Sequence, residues 1–364
     1  MNETKYSTLY KALKDEILSG KYTPGKLLPS ENALTRRFMV CRSTVQQAFR
    51  ELEKIGLVSR SRGRGTFVTK QGKSRKLGLI VPGVAYCEIY PPIVSEISRL
   101  AQERGYKLLI GDIPYKDSED WACRAAKVAE DFVKENVAGV IFQPIEAVVG
   151  AGEYNCEALT LFDAAKIPVV LIGYDIVYAP NRSGYDVVGI NNFDAGVRIA
   201  QHLVSIGAKR IHFFLHKGDD SPSGRDRIRG IAAGLGVGRS VFEKQVLETS
   251  PDDVVRIKRY VRKNRPDAIV CGNDSMAAAV RQTLKRVGVQ APKDVCLSGF
   301  DDVNIARLTQ LTTVRQPCES IARTAFRRLL ERIEDPTIEP VEIFLPAQLV
   351  VRDSTRKAKD KGET

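Results

Sequence analysis

Residues 42–56 read Arg42-Ser43-Thr44-Val45-Gln46-Gln47-Ala48-Phe49-Arg50-Glu51-Leu52-Glu53-Lys54-Ile55-Gly56. Val45, Ala48, Phe49, Leu52 and Ile55 recur at the three- and four-residue spacing of one helical face, which predicts an amphipathic helix with those side chains inward. Gly56 suits the left-handed position just past a helix end. The opposite face opens with Arg42, Ser43, Thr44, Gln46, Gln47 and Arg50. A merely solvated face would more often carry Glu and Lys. These side chains instead match base edges and phosphates, and they gather where a recognition helix enters the major groove.

The flanks extend the pattern. Upstream, Leu9, Leu13 and Ile17 form an apolar stripe that stops at Ser19-Gly20, and Pro24-Gly25 marks a turn. Pro29-Ser30 opens a second helix with Ser30 as N-cap and Ala33, Leu34 and Phe38 turned inward. Downstream, Leu57-Val58-Ser59-Arg60 and Thr66-Phe67-Val68 predict two short strands around Ser61-Arg62-Gly63-Arg64-Gly65. Glycine there permits a tight hairpin and close approach of backbone to another molecule. Arginines beside the tip suit a narrow, electronegative minor groove. Three helices and such a hairpin describe an α+β winged helix-turn-helix.

Charge supports a polyanion partner at this end. Residues 1–76 carry 17 Lys and Arg against 6 Asp and Glu, whereas the rest carries 39 against 38. Nearly all of the net charge of +12 therefore lies in the first fifth of the chain.

Leu28-Pro29-Ser30-Glu31-Asn32, Val40-Cys41-Arg42-Ser43-Thr44-Val45, Leu52-Glu53-Lys54-Ile55-Gly56-Leu57 and Gly63-Arg64-Gly65-Thr66-Phe67-Val68 closely resemble the GntR-family DNA-binding domain. The resemblance implies that Arg42 and Gln46 read bases, that Ser30, Ser43 and Thr44 hold phosphates, and that Gly63 or Gly65 enters the minor groove. Asn32, Gln47, Arg62, Arg64 and Thr66 complete the expected DNA-binding set. Asn32 and Gln46 stand where many members have Arg, which shifts the expected base preference from guanine toward adenine. Cys41 replaces the usual Ser or Thr cap of the recognition helix.

A basic linker, residues 70–76, follows domain 1–69, and the pattern then changes. Apolar runs at 77–81, 107–110, 137–142, 168–172, 187–190, 210–215, 268–271 and 295–300 alternate with helical stretches. This predicts parallel sheets with crossover helices, and the length favours two lobes with a ligand site beyond the strand ends. Polar residues gather there: Asn191-Asn192, Arg225-Asp226-Arg227 opening a helix, Asn273-Asp274, and Asp301-Asp302. Such amides, carboxylates and arginine suit vicinal hydroxyls, although Asn273-Asp274 could equally cap the helix that follows.

Gly78-Leu79-Ile80-Val81-Pro82, Ile167–Ile172, Gly272–Ala277, Asp294–Asp302, Leu311–Pro317 and Leu349–Thr355 look like the effector domain of the lac repressor family, related to periplasmic sugar-binding proteins. That resemblance covers 77–355. It implies a two-lobed α/β periplasmic-binding-protein-like domain, a homodimer, and ligand contacts at Arg227, Asn273 and Asp301. Tyr90, Asn191 and Asp274 join the expected ligand set, with Asn191 standing for the family's usual Asp and Cys87-Glu88-Ile89 for its Asn-Pro-Phe.

Residues 356–364 read as a disordered basic tail. The polar N-terminus and the lack of a long apolar run predict a cytoplasmic chain that spans no membrane. Seven scattered cysteines without a CxxC predict buried free thiols. His212 and His216 fall in an apparent strand, and no hydrolase, P-loop or metal motif occurs, so neither a catalytic group nor a cofactor is expected. The reading is a ligand-responsive regulator that binds double-stranded operator DNA and a sugar, and represses until the sugar releases it. A sugar-acting enzyme or a solute-binding protein on the same two-lobed fold is the alternative.

Overall fold

The structure is a computed structural model that describes residues 5–18, 21–23, 25–54, 56–61, 64–69, 76–84, 87–113, 121–146, 150–177, 181–219 and 221–356. Backbone contacts divide the chain into two units, residues 1–76 and 77–364.

In the first unit, α1 (Lys5–Leu18), α2 (Glu31–Phe38) and α3 (Arg42–Lys54) precede an antiparallel hairpin of β1 (Val58–Ser61) and β2 (Gly65–Val68). The apolar stripes form its core: Leu9, Leu13, Ile17, Leu34, Val45, Ala48, Phe49 and Leu52 are buried, joined by Val58 and Val68 from the hairpin. The Ser30 hydroxyl caps α2 by accepting the Ala33 amide at 3.2 Å. Ala33 itself, expected inside, is exposed. The inward stripe of this short helix is Leu34 and Phe38, one turn apart, and Ala33 lies about 100° around the axis from Leu34. Gly56 takes φ 68 past the end of α3. The turn and core expectations at Ser19, Gly20, Pro24 and Ile55 fall outside the described residues.

The second unit consists of two parallel α/β lobes. One holds β3 (Lys76–Val81), α4 (Tyr90–Glu103), β4 (Lys107–Asp112), α5 (Trp121–Lys134), β5 (Val140–Phe142), α6 (Ala151–Ala164), β6 (Val169–Gly173) and β7 (Asp186–Ile190). The other holds α7 (Asn192–Ser205), β8 (Ile211–Leu215), α8 (Pro222–Gly234), α9 (Arg239–Phe242), β9 (Val246–Glu248), α10 (Val254–Asn264), β10 (Ala268–Cys271), α11 (Asp274–Arg286), β11 (Cys296–Ser298) and α12 (Asn304–Leu308). The chain then recrosses. β12 (Thr313–Arg315) leads to α13 (Cys318–Glu334) and β13 (Glu342–Leu345) in the first lobe, and β14 (Gln348–Val350) returns to pair with β12.

The first sheet runs β13-β7-β6-β5-β3-β4 and the second β11-β10-β8-β9. Helices cover both faces of each, so β7, β8 and β10 are buried throughout, which explains their unbroken apolar runs. All eight runs found in the sequence carry strands; β9, β12, β13 and β14 went unforeseen. The helix expected to open at Arg225 begins earlier, at Pro222, because Ser221 caps it. Lys76, assigned to the linker, already lies in β3, while residues 70–75 and the tail beyond Arg356 fall outside the described residues. Cys271 and Cys296 are buried and outside any disulfide, as expected, but Cys41, Cys123 and Cys156 are exposed. These three sit on helix surfaces or at a helix start, outside the apolar strands.

Candidate functional site

On the first unit, a groove of about 1090 Å³ runs between the start of α3 and the hairpin. Its organiser is Glu31, in the first turn of α2. Arg42 Nε and Gln46 Nε2 donate to its Oε2 at 2.7 and 3.1 Å, and Arg60 Nη2 donates to its Oε1 at 3.1 Å. The Arg42 guanidinium holds the Glu31 carboxyl below the usual carboxylate range. Arg42 nevertheless keeps 70% of its side-chain surface exposed, whereas Gln46 is half-buried, and both are oriented by the same carboxylate.

The other expected contacts fall around this groove or outside it. Ser30, Asn32, Arg64 and Gly65 line it. Ser43 and Thr44 stand at the start of α3, where their hydroxyls meet the Cys41 sulfur at 3.1 and 3.0 Å. Those hydroxyls, with the Thr44 amide, push the Cys41 thiol down to about 7, while the Thr44 amide donates to the Cys41 carbonyl at 3.1 Å. Gln47 is exposed. Gly65 takes φ 106, and a Cβ on it would lie 2.7 Å from Leu27 Cδ1, so a packing requirement accompanies any role at DNA. Thr66 is buried at 7% exposure, which turns its side chain away from the surface. Arg62 and Gly63 lie outside the described residues. Glu31 and Arg60 escaped the sequence reading.

In the second unit Arg227, on α8, is buried among polar ends of the second lobe's strands and helices. Its place follows from the close approach of α7 and α8. A Cβ at Gly230 would overlap the Phe193 carbonyl, and one at Gly196 would overlap the Arg227 carbonyl. The helices therefore meet backbone to backbone. Arg227 Nε donates to Asn192 Oδ1 at 2.9 Å and Nη1 donates to the Gly272 carbonyl at 2.6 Å. Its guanidinium lies 4.4 Å from the Phe300 ring centroid and 3.8 Å from Asp301 Oδ1. Gln316 Nε2 donates to the same Asp301 oxygen at 2.7 Å. Asp301 and Asp302 have φ of 108 and 57. Such backbone costs of order 1–3 kcal/mol per residue and is typical of sites held by their surroundings. Burial raises the Asp301 carboxyl, against the pull of Arg227.

Four expected ligand residues have other engagements. Asn191 Oδ1 caps α7 by accepting the Asp194 amide at 3.0 Å, and Asn273 Oδ1 caps α11 by accepting the Met276 amide at 2.8 Å. Asp274 is wholly buried. Its oxygens accept Thr313 Oγ1 at 2.6 Å and the Val303 amide at 3.1 Å, and burial with the nearby Asp301 raises its carboxyl. Tyr90 belongs to the apolar core of the first lobe. Arg227 and Asp301 remain together, with Asn192 taking the place expected of Asn191.

Among the described residues, hydrogen bonds cross between the lobes at Glu146 and Glu88. Ser223 Oγ donates to Glu146 Oε2 at 3.0 Å, and the Asn304 amide donates to Glu88 Oε2 at 2.9 Å. A groove of about 750 Å³, lined among others by Glu88, Pro91, Asp301, Gln316 and Cys318, opens beside them. Glu146 could have been found in the sequence as the one charge within Pro144-Ile145-Glu146-Ala147-Val148-Val149. Among the described residues no group of three His, Cys, Asp or Glu is placed to hold a metal, and His212 is buried with Nδ1 2.8 Å from the Tyr260 hydroxyl.

Residues 5–68 match the model of the bacterial regulatory proteins of the gntR family, and residues 200–355 match that of the periplasmic binding protein-like domain. The chain is similar to the arabinose metabolism transcriptional repressor of Geobacillus stearothermophilus, 28% identical over 97% of this chain and 98% of that one. Its counterpart in Halalkalibacterium halodurans is 26% identical over 99% of both. Among solved structures, a complex of the transcriptional regulator CelR with cellobiose has a TM-score of 0.64 at 22% identity, covering 97% of this chain and all of that one. A LacI family regulator from Enterococcus faecium with bound ribose has a TM-score of 0.61 at 19% identity, covering 78% and 100%. The chain thus joins a gntR-type winged helix-turn-helix to a two-lobed periplasmic-binding-protein-like domain.

Proposed function

We propose that the protein is a ligand-responsive, DNA-binding transcription regulator: a homodimeric, cytosolic repressor of carbohydrate-utilisation genes that leaves its operator when a sugar or sugar derivative fills the cleft. One observation carries this reading. A single chain holds both an oriented Arg42–Gln46 pair at a helix start, with Arg42 exposed, and a place where Arg227, Asn192 and Asp301 converge. Relatives named as arabinose metabolism repressors, similar along nearly the whole chain, support it. No described helix is long and apolar enough to cross a membrane.

Residues 1–69 act as the DNA-binding domain, 70–76 as the linker and 77–355 as the sensor. Arg42 and Gln46 read bases. Ser30, Ser43 and Thr44 hold phosphates. In the cleft, Arg227 and Asp301 bind ligand hydroxyls, helped by Asn192, and act by recognition without turnover. Ligand favours one arrangement of the lobes by its differential affinity, and a coupling of about 1–3 kcal/mol is enough to move the operator equilibrium.

Two variants test the division of labour. Arg42→Ala is expected to weaken specific operator binding by roughly 1–3 kcal/mol while sugar binding persists. Arg227→Ala is expected to abolish the sugar response while operator binding persists, with Arg227→Lys as a check that the lobe still folds. A response retained in Arg227→Ala would place the ligand elsewhere.

A further inference from the structure

Building on the reading of the cleft as a sugar site, we infer that it takes an uncharged polyhydroxy effector and rejects the phosphorylated or carboxylated form of the same sugar, with Glu146 setting that selection. The inference rests on the balance of charge and on what Arg227 already does. Glu146 feels the charges of Asp219, Arg227 and Asp301, and Arg227 in turn lies 3.8 Å from Asp301. Arg227 is the cation among those charges. Its Nε and Nη1 are engaged by Asn192 and the Gly272 carbonyl, its ring face by Phe300, and Asp301 faces its Nη2.

Asp301 already offsets the charge of Arg227, so an added anion would lie beside carboxylates in a medium that screens poorly, whereas the Nη2 hydrogens not engaged by Asn192 or Gly272 suit a neutral hydroxyl. At the outer groove the balance is similar. Arg315 is paired with Asp302 at 2.6 Å, Arg307 donates to the Asn304 side chain, and Glu88 and Glu319 add negative charge. The undescribed residues that follow strands of this unit do not reverse it. Positions 85–86, 147–149, 178–180 and 220 hold no Lys or Arg, and 114–120 holds Lys116 together with Asp117, Glu119 and Asp120.

Glu146 faces the cleft from the first lobe and accepts the Ser223 hydroxyl of the second. Desolvation, then Asp219, raises its carboxyl to about 7. A sugar hydroxyl replaces the Ser223 hydroxyl like for like, whereas above about pH 7, with Glu146 ionised, a phosphate or carboxylate oxygen brings acceptor against acceptor. Selection arises from this repulsion as much as from attraction.

The test is a thermal-shift and calorimetric comparison of the full chain with matched probes: L-arabinose against L-arabinonate, D-ribose against D-ribose 5-phosphate, and cellobiose against cellobionate. The expected result is that at least one uncharged sugar binds and does so about tenfold or more tighter than its anionic counterpart. Glu146→Gln is expected to weaken the uncharged sugar and narrow that gap, whereas a purely structural role would lower both partners equally. Tighter binding of an anionic partner, or equal losses in the variant, overturns the inference and leaves the sugar-effector reading standing. Binding of no probe overturns the sugar-effector reading itself, and this inference with it.

Discussion

Glu31 holds Arg42, Gln46 and Arg60 through a single carboxylate. It presents two candidate base readers and a wing arginine in fixed directions, which lowers the ordering cost of docking. Glu31→Gln removes the anion that aligns them and also lessens negative charge beside DNA. The expected outcome is specific operator affinity reduced by about 1–3 kcal/mol with non-specific affinity unchanged or higher, read as a competition titration. Equal loss on both DNAs would contradict the orienting role. Arg42 and Gln46 were legible in the sequence because helical spacing places them opposite the core. Glu31 was not, because its partners lie 11, 15 and 29 residues away, beyond any local pattern. The same holds in the cleft. Asn191 and Asn273 were visible as polar strand ends, but only the structure shows that each caps a helix and that Asn192 meets Arg227.

At the scale of elements, the pairing of α7 with α8 positions the cleft. Gly196 and Gly230 bring the two backbones together, so Arg227 reaches Asn192 and Gly272. Gly230→Ala forces the helices apart and is expected to cost about 1–3 kcal/mol of sensor stability by overpacking. A lowered unfolding temperature together with a weakened sugar response, and operator binding intact, is the expected pattern. An unchanged melting curve would contradict the close-packed geometry. The long apolar strands were legible because burial on both faces leaves an unbroken run. β9, β12 and β14 have three residues each, too few for a period to show. β13 alternates exposed and half-buried residues at a sheet edge, and it is anchored from a distance. Asp186 beside its partner strand β7 is buried and pairs with Arg328 at 2.8 Å and with Arg332 at 2.5 Å, while the Val341 amide donates to it at 2.9 Å.

Across the whole molecule, the proposed reading divides recognition and sensing between the two units. Excess positive charge sits in residues 1–76, where it favours DNA, and the near-neutral remainder is free to answer a small ligand. The coupling between them is the central claim. It is tested most directly by fluorescence anisotropy of the full chain on a duplex that the protein itself selects from a random library, titrated with L-arabinose, D-ribose and cellobiose. The account predicts that at least one sugar weakens binding to that duplex by roughly 5–150-fold, and that Arg227→Ala removes the effect. Operator affinity unchanged by a sugar that calorimetry shows to be bound in the cleft would contradict it.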